Sequence, residues 1–289
     1  MAINVTLNIS EAGVSGDSGG MPGDVDELRA QMGDHIGPFP PAGVDGFLSH
    51  FIITVQFTGG EREDEVLSWT MPTAIQTVSR SDPFIYQGGG RDRVSLPLPS
   101  GCTLPDSIAE SDFLSRPDGY FDVGKETVWM QILNLDARMD TEVGPVRIIL
   151  GETLKREYPD IFAPSLGVAR SLGRSGFPAR LFFNPVAVLE TPFGALRAIH
   201  GTLAYGRIVS FPPVGTPVTI QDIIPMHPVE SIRAAMASRG VTSAAEVEPR
   251  ELQEAPARII ALSHPIDVPL QLSGEEAFHL VERRTMDRG

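Results

Sequence analysis

The chain reads as a β-dominated α+β protein, with antiparallel sheets in a sandwich or barrel-like core, a few short helices and an extended N-terminal arm. Three observations predict this class. Its 289 residues include 29 glycines and 25 prolines, a frequency of turn residues that favours many short elements. Several apolar, β-branched runs are bounded by those turns. Helical spacing is confined to short segments, most of them after Pro225.

In chain order, Ile3, Val5, Leu7 and Ile9 alternate with Asn4, Thr6 and Asn8, the period-two pattern of a half-buried strand. A glycine- and serine-rich stretch, Glu11 to Gly23, separates it from a short helical pattern beginning at Asp24, a suitable N-cap. Pro38, Pro40 and Pro41 make Ile36 to Gly46 an extended connector. Phe47 to Phe57 and Glu65 to Met71 read as a hairpin across the acidic turn Gly59 to Asp64. Residues 82–120 are irregular apart from Val94 to Leu98, which suggests a functional loop or interaction arm.

Thr127 to Leu135 and Val143 to Leu150 are further strands, joined by a polar turn from Asp136 to Glu142. Helices are expected from Glu152 to Tyr158 and from Pro164 to Leu172. Ala179 to Leu189 and Ala195 to Phe211, flanking the turn Glu190 to Gly194, form the strongest long hairpin, and their apolar character predicts cover on both faces. Pro217 to Ile224 adds a strand. Val229, Ile232, Arg233 and Met236 fall at helical spacing, and Ser243 to Glu254 forms another helical pattern broken by Pro249. Arg258 to Leu262 and Ile266 to Leu272 return to strand, and Ser273 with Glu276 makes a capping box for a last helix. The organisation expected is an arm over 1–46, a β-rich core over 47–225 and a mixed C-terminal part over 226–289, packed on the same core.

Acidic residues outnumber basic ones 37 to 23, for a formal charge of −14. The resulting field repels phosphate backbones and anionic membranes, so direct nucleic-acid binding is not expected. Cys102 is the single cysteine, which rules out an intrachain disulfide and fits a reducing, cytoplasmic setting. The N-terminal residues lack the pattern of a signal peptide, and no apolar stretch reaches membrane-spanning length.

Several strings suggest chemistry, and each has a plainer reading. Gly16-Asp17-Ser18-Gly19-Gly20 resembles the surroundings of a serine nucleophile, but no histidine precedes it and no strand runs from it straight into a helix. Gly88-Gly89-Gly90-Arg91 could cradle an anion yet lacks phosphate-loop spacing. Glu276 and His279 share a helix face, without the second pair and extra glutamates of a di-iron bundle. Cys102 has no local group to lower its pKa. His227 and His264 each precede a proline and read as turn residues. No metal and no cofactor are expected. His200, within an apolar run, with Glu190 and Tyr205 on the same hairpin, is the best candidate for acid-base chemistry, provided the three converge on one cavity.

Two functions follow. The first is a non-catalytic, self-assembling virion, shell or tail component whose partners are copies of itself, with the strand Ile3, Val5, Leu7 and Ile9 donated to a neighbouring sheet edge. The alternative is a cofactor-independent β-barrel enzyme or binding protein for a small apolar molecule, using His200, Tyr205 and Glu190. Whether the chain is an enzyme is left open, with the balance against it.

Overall fold

The computed structural model describes residues 37–59, 62–88, 93–201, 203–213, 218–220, 222–252, 254–264, 266–269, 274–276 and 278–279. The expected arm strand of Ile3, Val5, Leu7 and Ile9 and the serine string Gly16 to Gly20 lie outside these residues.

Two long strands open the fold, β1 (Gly43–Phe57) and β2 (Val66–Arg80), paired antiparallel from Gly43↔Arg80 to Gln56↔Val66. The hairpin is therefore longer at both ends than its apolar runs suggest. Three two-residue strands follow, β3 (Phe84–Ile85), β4 (Val94–Ser95) and β5 (Ser107–Ile108). Next come β6 (Glu126–Thr141) and β7 (Gly144–Leu150). Asp136 to Thr141, expected in a turn, continue β6, because Asp136↔Ile149 through Thr141↔Gly144 extend the ladder.

Helix α1 (Gly151–Glu157) leaves the wall at Leu150, and β8 (Ser165–Ser171) rejoins it. Ser165 to Ser171 were expected to be helical. They are a strand because every one of them is buried, between β6 on one side and the following strand on the other. The chain continues through β9 (Ala179–Asn184), β10 (Val188–Thr191), β11 (Gly194–Arg197) and β12 (Ala204–Ile208). It then forms β13 (Val218–Ile220) and β14 (Ile224–Pro228). Helix α2 (Val229–Arg239) and two 3-10 turns lead to β15 (Ala257–His264) and β16 (Ile266–Pro269).

The pairings close into a ring. β6 carries β8 along Thr127–Ile132 and β7 along Leu135–Thr141, so β7 and β8 are one wall position interrupted by α1. The long hairpin is likewise one pair of positions, with β9 against β12 and β10 against β11. β14 and β13 share the next position, each paired with β15. β15 and β16 lie end to end along β1, β16 against Phe47–Ser49 and β15 against Ile52–Phe57, which shuts the barrel. In sequence order, each position is thus antiparallel to the one before it, in an up-and-down β-barrel.

Alternation sets the inner face. In β1, Phe47, Phe51, Ile53, Val55 and Phe57 are buried while the residues between them are partly exposed, apart from buried Ser49 on the inward side. Irregular pairings at Ser49/Phe51 and at Thr77/Val78 bend the long strands around the ring. Gly151, at φ +65°, marks the departure of α1: a Cβ there would stand 2.1 Å from the Leu133 carbonyl oxygen, so only glycine fits.

The outside of the barrel is covered on two flanks. Helices α1 and α2 bury Leu154, Val229 and Ile232 against Ile149, Val188 and Ile199 of the wall and its loops. The irregular segment between β3 and β6 lays Tyr86, Leu96, Ile108 and Phe113 over Trp129 and Phe182. It is consequently a packed covering of the wall instead of a free interaction arm. Among the described residues, no helix is long and apolar enough to cross a membrane.

Candidate functional site

One end of the barrel is filled. Val55, Trp69, Val146, Leu189, Leu196 and Ala257 occupy the space between the walls where β1 ends and β2 begins. Toward the other end the filling stops, leaving a cavity of about 90 Å³ bordered by 24 residues. Wall residues with short side chains leave that room: Ala187, Ala198 and Ala204 line it, together with longer chains such as Phe47, Met130 and Leu181.

Three phenylalanines from separate loops stand at the mouth. Phe39 precedes β1, Phe177 lies between β8 and β9, and Phe211 follows β12. Phe39 and Phe177 meet edge to face at 4.9 Å between centroids, and Phe177 and Phe211 at 5.3 Å. The Phe177 backbone N–H donates to the Gly37 carbonyl at 3.1 Å, tying the segment ahead of β1 to the β8–β9 loop. Gly176, at φ +65°, permits that approach: a Cβ on it would stand 2.5 Å from the Gly37 oxygen. Phe211, Pro212 and Pro213 line the cavity directly and form its rim.

Of the 24 described residues that line it, only Asp45 and Gln76 are polar. Both face inward near the mouth, two residue pairs apart along the β1–β2 ladder, since Asp45 pairs with Val78 and Phe47 with Gln76. They are diagonal neighbours on one face. Gln76 is 2% exposed, and the Ser49 hydroxyl donates to its Oε1 at 3.4 Å. Arg80 lies beside Asp45, with Nε 3.0 Å from Oδ2 as an ion pair and Nη2 donating to Oδ1 at 3.3 Å. Its Nη1 donates to the Pro41 carbonyl, fastening the segment ahead of β1. Burial pushes the Asp45 carboxyl above its usual range, against the opposing charge of Arg80.

The residues singled out from sequence do not converge. His200 is exposed in the bend between β11 and β12 and lines an outer cleft with Ser115, Asp222 and His227. Tyr205 follows the cavity-lining Ala204, so alternation turns it to the outer face, where its ring lies 5.9 Å from that of Tyr120. Glu190 belongs to an ion cluster on the outside of the wall: Arg147 donates to Asp136, Glu157 and Glu190, and the Tyr158 hydroxyl donates to Glu190 at 2.8 Å. None of the three lines the cavity, because the strand break at residues 198–203 puts His200 outside the wall and alternation puts Tyr205 there. The acid-base constellation expected of them is not assembled.

The remaining candidates have structural surroundings. Cys102 lies 3.2 Å from Glu152 Oε1, and burial with that carboxylate pushes its thiol up to about 12. His279 stands 4.0 Å from Glu275, on the segment that buries Phe278. His227 is buried in β14, within the wall instead of a turn. Most of the Gly88 to Arg91 string lies outside the described residues. One further buried ion was not legible in the sequence: Arg197 is 1% exposed, and its Nε and Nη1 have no hydrogen-bond partner among the described residues. Burial pulls its pKa down to about 10, with Asp160 acting in opposition.

The geometry defines an antiparallel β-barrel that encloses an apolar cavity with two polar groups near its mouth. Among solved structures, the chain is similar in fold to DynF from the dynemicin biosynthesis pathway of Micromonospora chersina, at a TM-score of 0.50 and 14% identity over 82% of this chain and 86% of that one. No family model and no curated protein matches the sequence. The likeness overturns the expectation of a virion, shell or tail component, since the shared barrel is that of a biosynthetic-pathway protein. The closed wall agrees with the correction: among the described residues, the ring of paired strands offers no long free edge for a donated strand.

Proposed function

We propose that the chain binds a small apolar molecule inside the barrel. The observation that carries this reading is the cavity inside the barrel, with 22 of its 24 described lining residues apolar and a mouth narrowed by aromatic side chains. Burial of apolar surface in such a space is favourable by about 25 cal/mol per Å². An engineered apolar cavity of about 150 Å³ takes up benzene. The 90 Å³ here therefore suits a ligand of a few carbons as it stands, and a larger one when Phe211 to Pro213 move outward. The likeness to a protein of a biosynthetic pathway agrees with a role on small molecules, and the single cysteine agrees with a cytoplasmic setting. With His200, Tyr205 and Glu190 outside the cavity, binding is favoured over acid-base catalysis by those residues.

The test uses the methionine methyl groups as reporters. Met130 and Met226 line the cavity, whereas Met236 belongs to α2 and packs on the outside of the wall. Titration of 13C-methyl-methionine protein with pentane should give saturable shifts at Met130 and Met226 and none at Met236. Shifts spread over all three, or none at any, would overturn the reading.

A further inference from the structure

The polar groups at the cavity carry the inference one step further, resting on the binding function proposed above. A glutamine inside an apolar cavity is costly unless its amide is satisfied at both ends. Gln76 is 2% exposed, and its one hydrogen bond among the described residues is the acceptance at Oε1 from Ser49. Its amide nitrogen is left to donate into the space it lines. Beside it, Asp45 offers acceptor oxygens, with its charge already countered by Arg80 at 3.0 Å.

A hydroxyl group meets both requirements, because it accepts one hydrogen bond and donates another. Its oxygen takes the hydrogen bond from the Gln76 amide, and its proton goes to an Asp45 carboxylate oxygen. A ligand carboxylate instead places a second negative charge beside Asp45, and a ligand ammonium places a second positive charge beside Arg80. A pure hydrocarbon leaves the Gln76 amide unpaired.

We propose that the cavity selects an uncharged apolar molecule bearing one hydroxyl group, held with that hydroxyl between the Gln76 amide and the Asp45 carboxylate and its carbon skeleton among Met130, Ala204 and Ile259. Asp45 and Gln76 are thus specificity-determining residues, and the ligand class is an aliphatic alcohol or a phenol. Arg80 positions Asp45 without reaching the ligand.

The experiment compares four five-carbon probes at pH 7.5 by the Met130 and Met226 methyl shifts: 1-pentanol, pentane, pentanoate and pentylamine. The alcohol is expected to bind about tenfold more tightly than each of the others, the size of effect that a satisfied buried hydrogen bond supplies. In Gln76→Leu the alcohol's advantage over pentane should shrink to about twofold or less while pentane itself still binds. Asp45→Asn keeps the side-chain volume, and Ser49→Ala frees Gln76 without touching the cavity lining; the first should weaken pentanol and the second should not. Retained thermal unfolding transitions certify that each variant is folded. Equal binding of alcohol and hydrocarbon overturns the hydroxyl assignment and leaves apolar binding standing. Tightest binding of pentanoate or pentylamine overturns the assignment in favour of an ionic head group. Failure of all four to shift the two methyls overturns the binding function as well.

Discussion

The ring of Phe177 meets that of Phe211 edge to face with centroids 5.3 Å apart, joining the loop after β8 to the loop after β12 across the open end of the barrel. Phe39 completes the contact from the segment ahead of β1. These three loops have no sequence proximity, so the mouth is built entirely by tertiary packing.

Phe39→Ala should therefore act in two ways. Loss of a ring that is 5% exposed is expected to lower stability by about 3 kcal/mol, read from urea denaturation. It should also speed exchange of a bound probe, measured as broadening of the Met130 methyl signal. A destabilised protein with unchanged exchange would confine Phe39 to a packing role.

On the outer wall, Asp136 and Arg147 make a two-pronged contact, with both nitrogen–oxygen distances 2.7 Å. Burial raises the Asp136 pKa, but the hydrogen bonds and charges of Arg147 and Arg138 outweigh it and hold the carboxyl below its usual range. A depressed carboxyl stabilises the fold above its unfolded pKa, about 3.9, and that stability is lost as pH falls through the folded value. Arg147→Met should lower stability by about 3 kcal/mol near neutrality. The difference from the parent should narrow below pH 4, as followed by urea midpoints between pH 7 and pH 2.5.

Arg197 is predicted to behave in the opposite manner. It is a buried cation with two nitrogens unpaired among the described residues, and a well-packed apolar residue of similar length removes that cost. Arg197→Met should raise the melting temperature by a few degrees, on the order of 1 kcal/mol. A fall of similar size would show that the guanidinium holds the wall against α2.

Cys102 should be inert in the folded protein. With its thiol pushed up to about 12 by burial and by Glu152, the thiolate fraction at pH 8 is negligible. Reaction with a disulfide reagent is expected only after denaturant is added. Prompt reaction in the native state would contradict this placement.

The wall of the barrel was largely legible in the sequence. The apolar, β-branched run Phe47 to Phe57, the apolar runs of β6 and β7 and the hairpin around Glu190 to Gly194 each gave a strand near its observed place. Ser165 to Ser171 misled because burial on both faces removes alternation, and a short apolar run then has no period to distinguish strand from helix. The site was less legible. His200 attracts attention by chemistry, but the break between β11 and β12 puts it outside, and a local sequence does not report where a wall is interrupted. Gln76 carried a usable signal: a polar residue at an inward register position of β2, between Ala74 and Val78. Asp45 was hidden by its assignment to a connector.

Filling the interior cavity separates binding inside the barrel from binding elsewhere on the molecule. Ala204 lines the cavity from β12 and is 4% exposed. Its enlargement in Ala204→Leu occupies the void with a side chain, and His200→Ala serves as the control because His200 lies in the outer cleft. The measurement is the 1-pentanol titration of the Met130 and Met226 methyl shifts in both variants. The account predicts that Ala204→Leu, still folded, loses the saturable response while His200→Ala keeps the parent affinity. An unchanged response in Ala204→Leu, or its loss in His200→Ala, would contradict it.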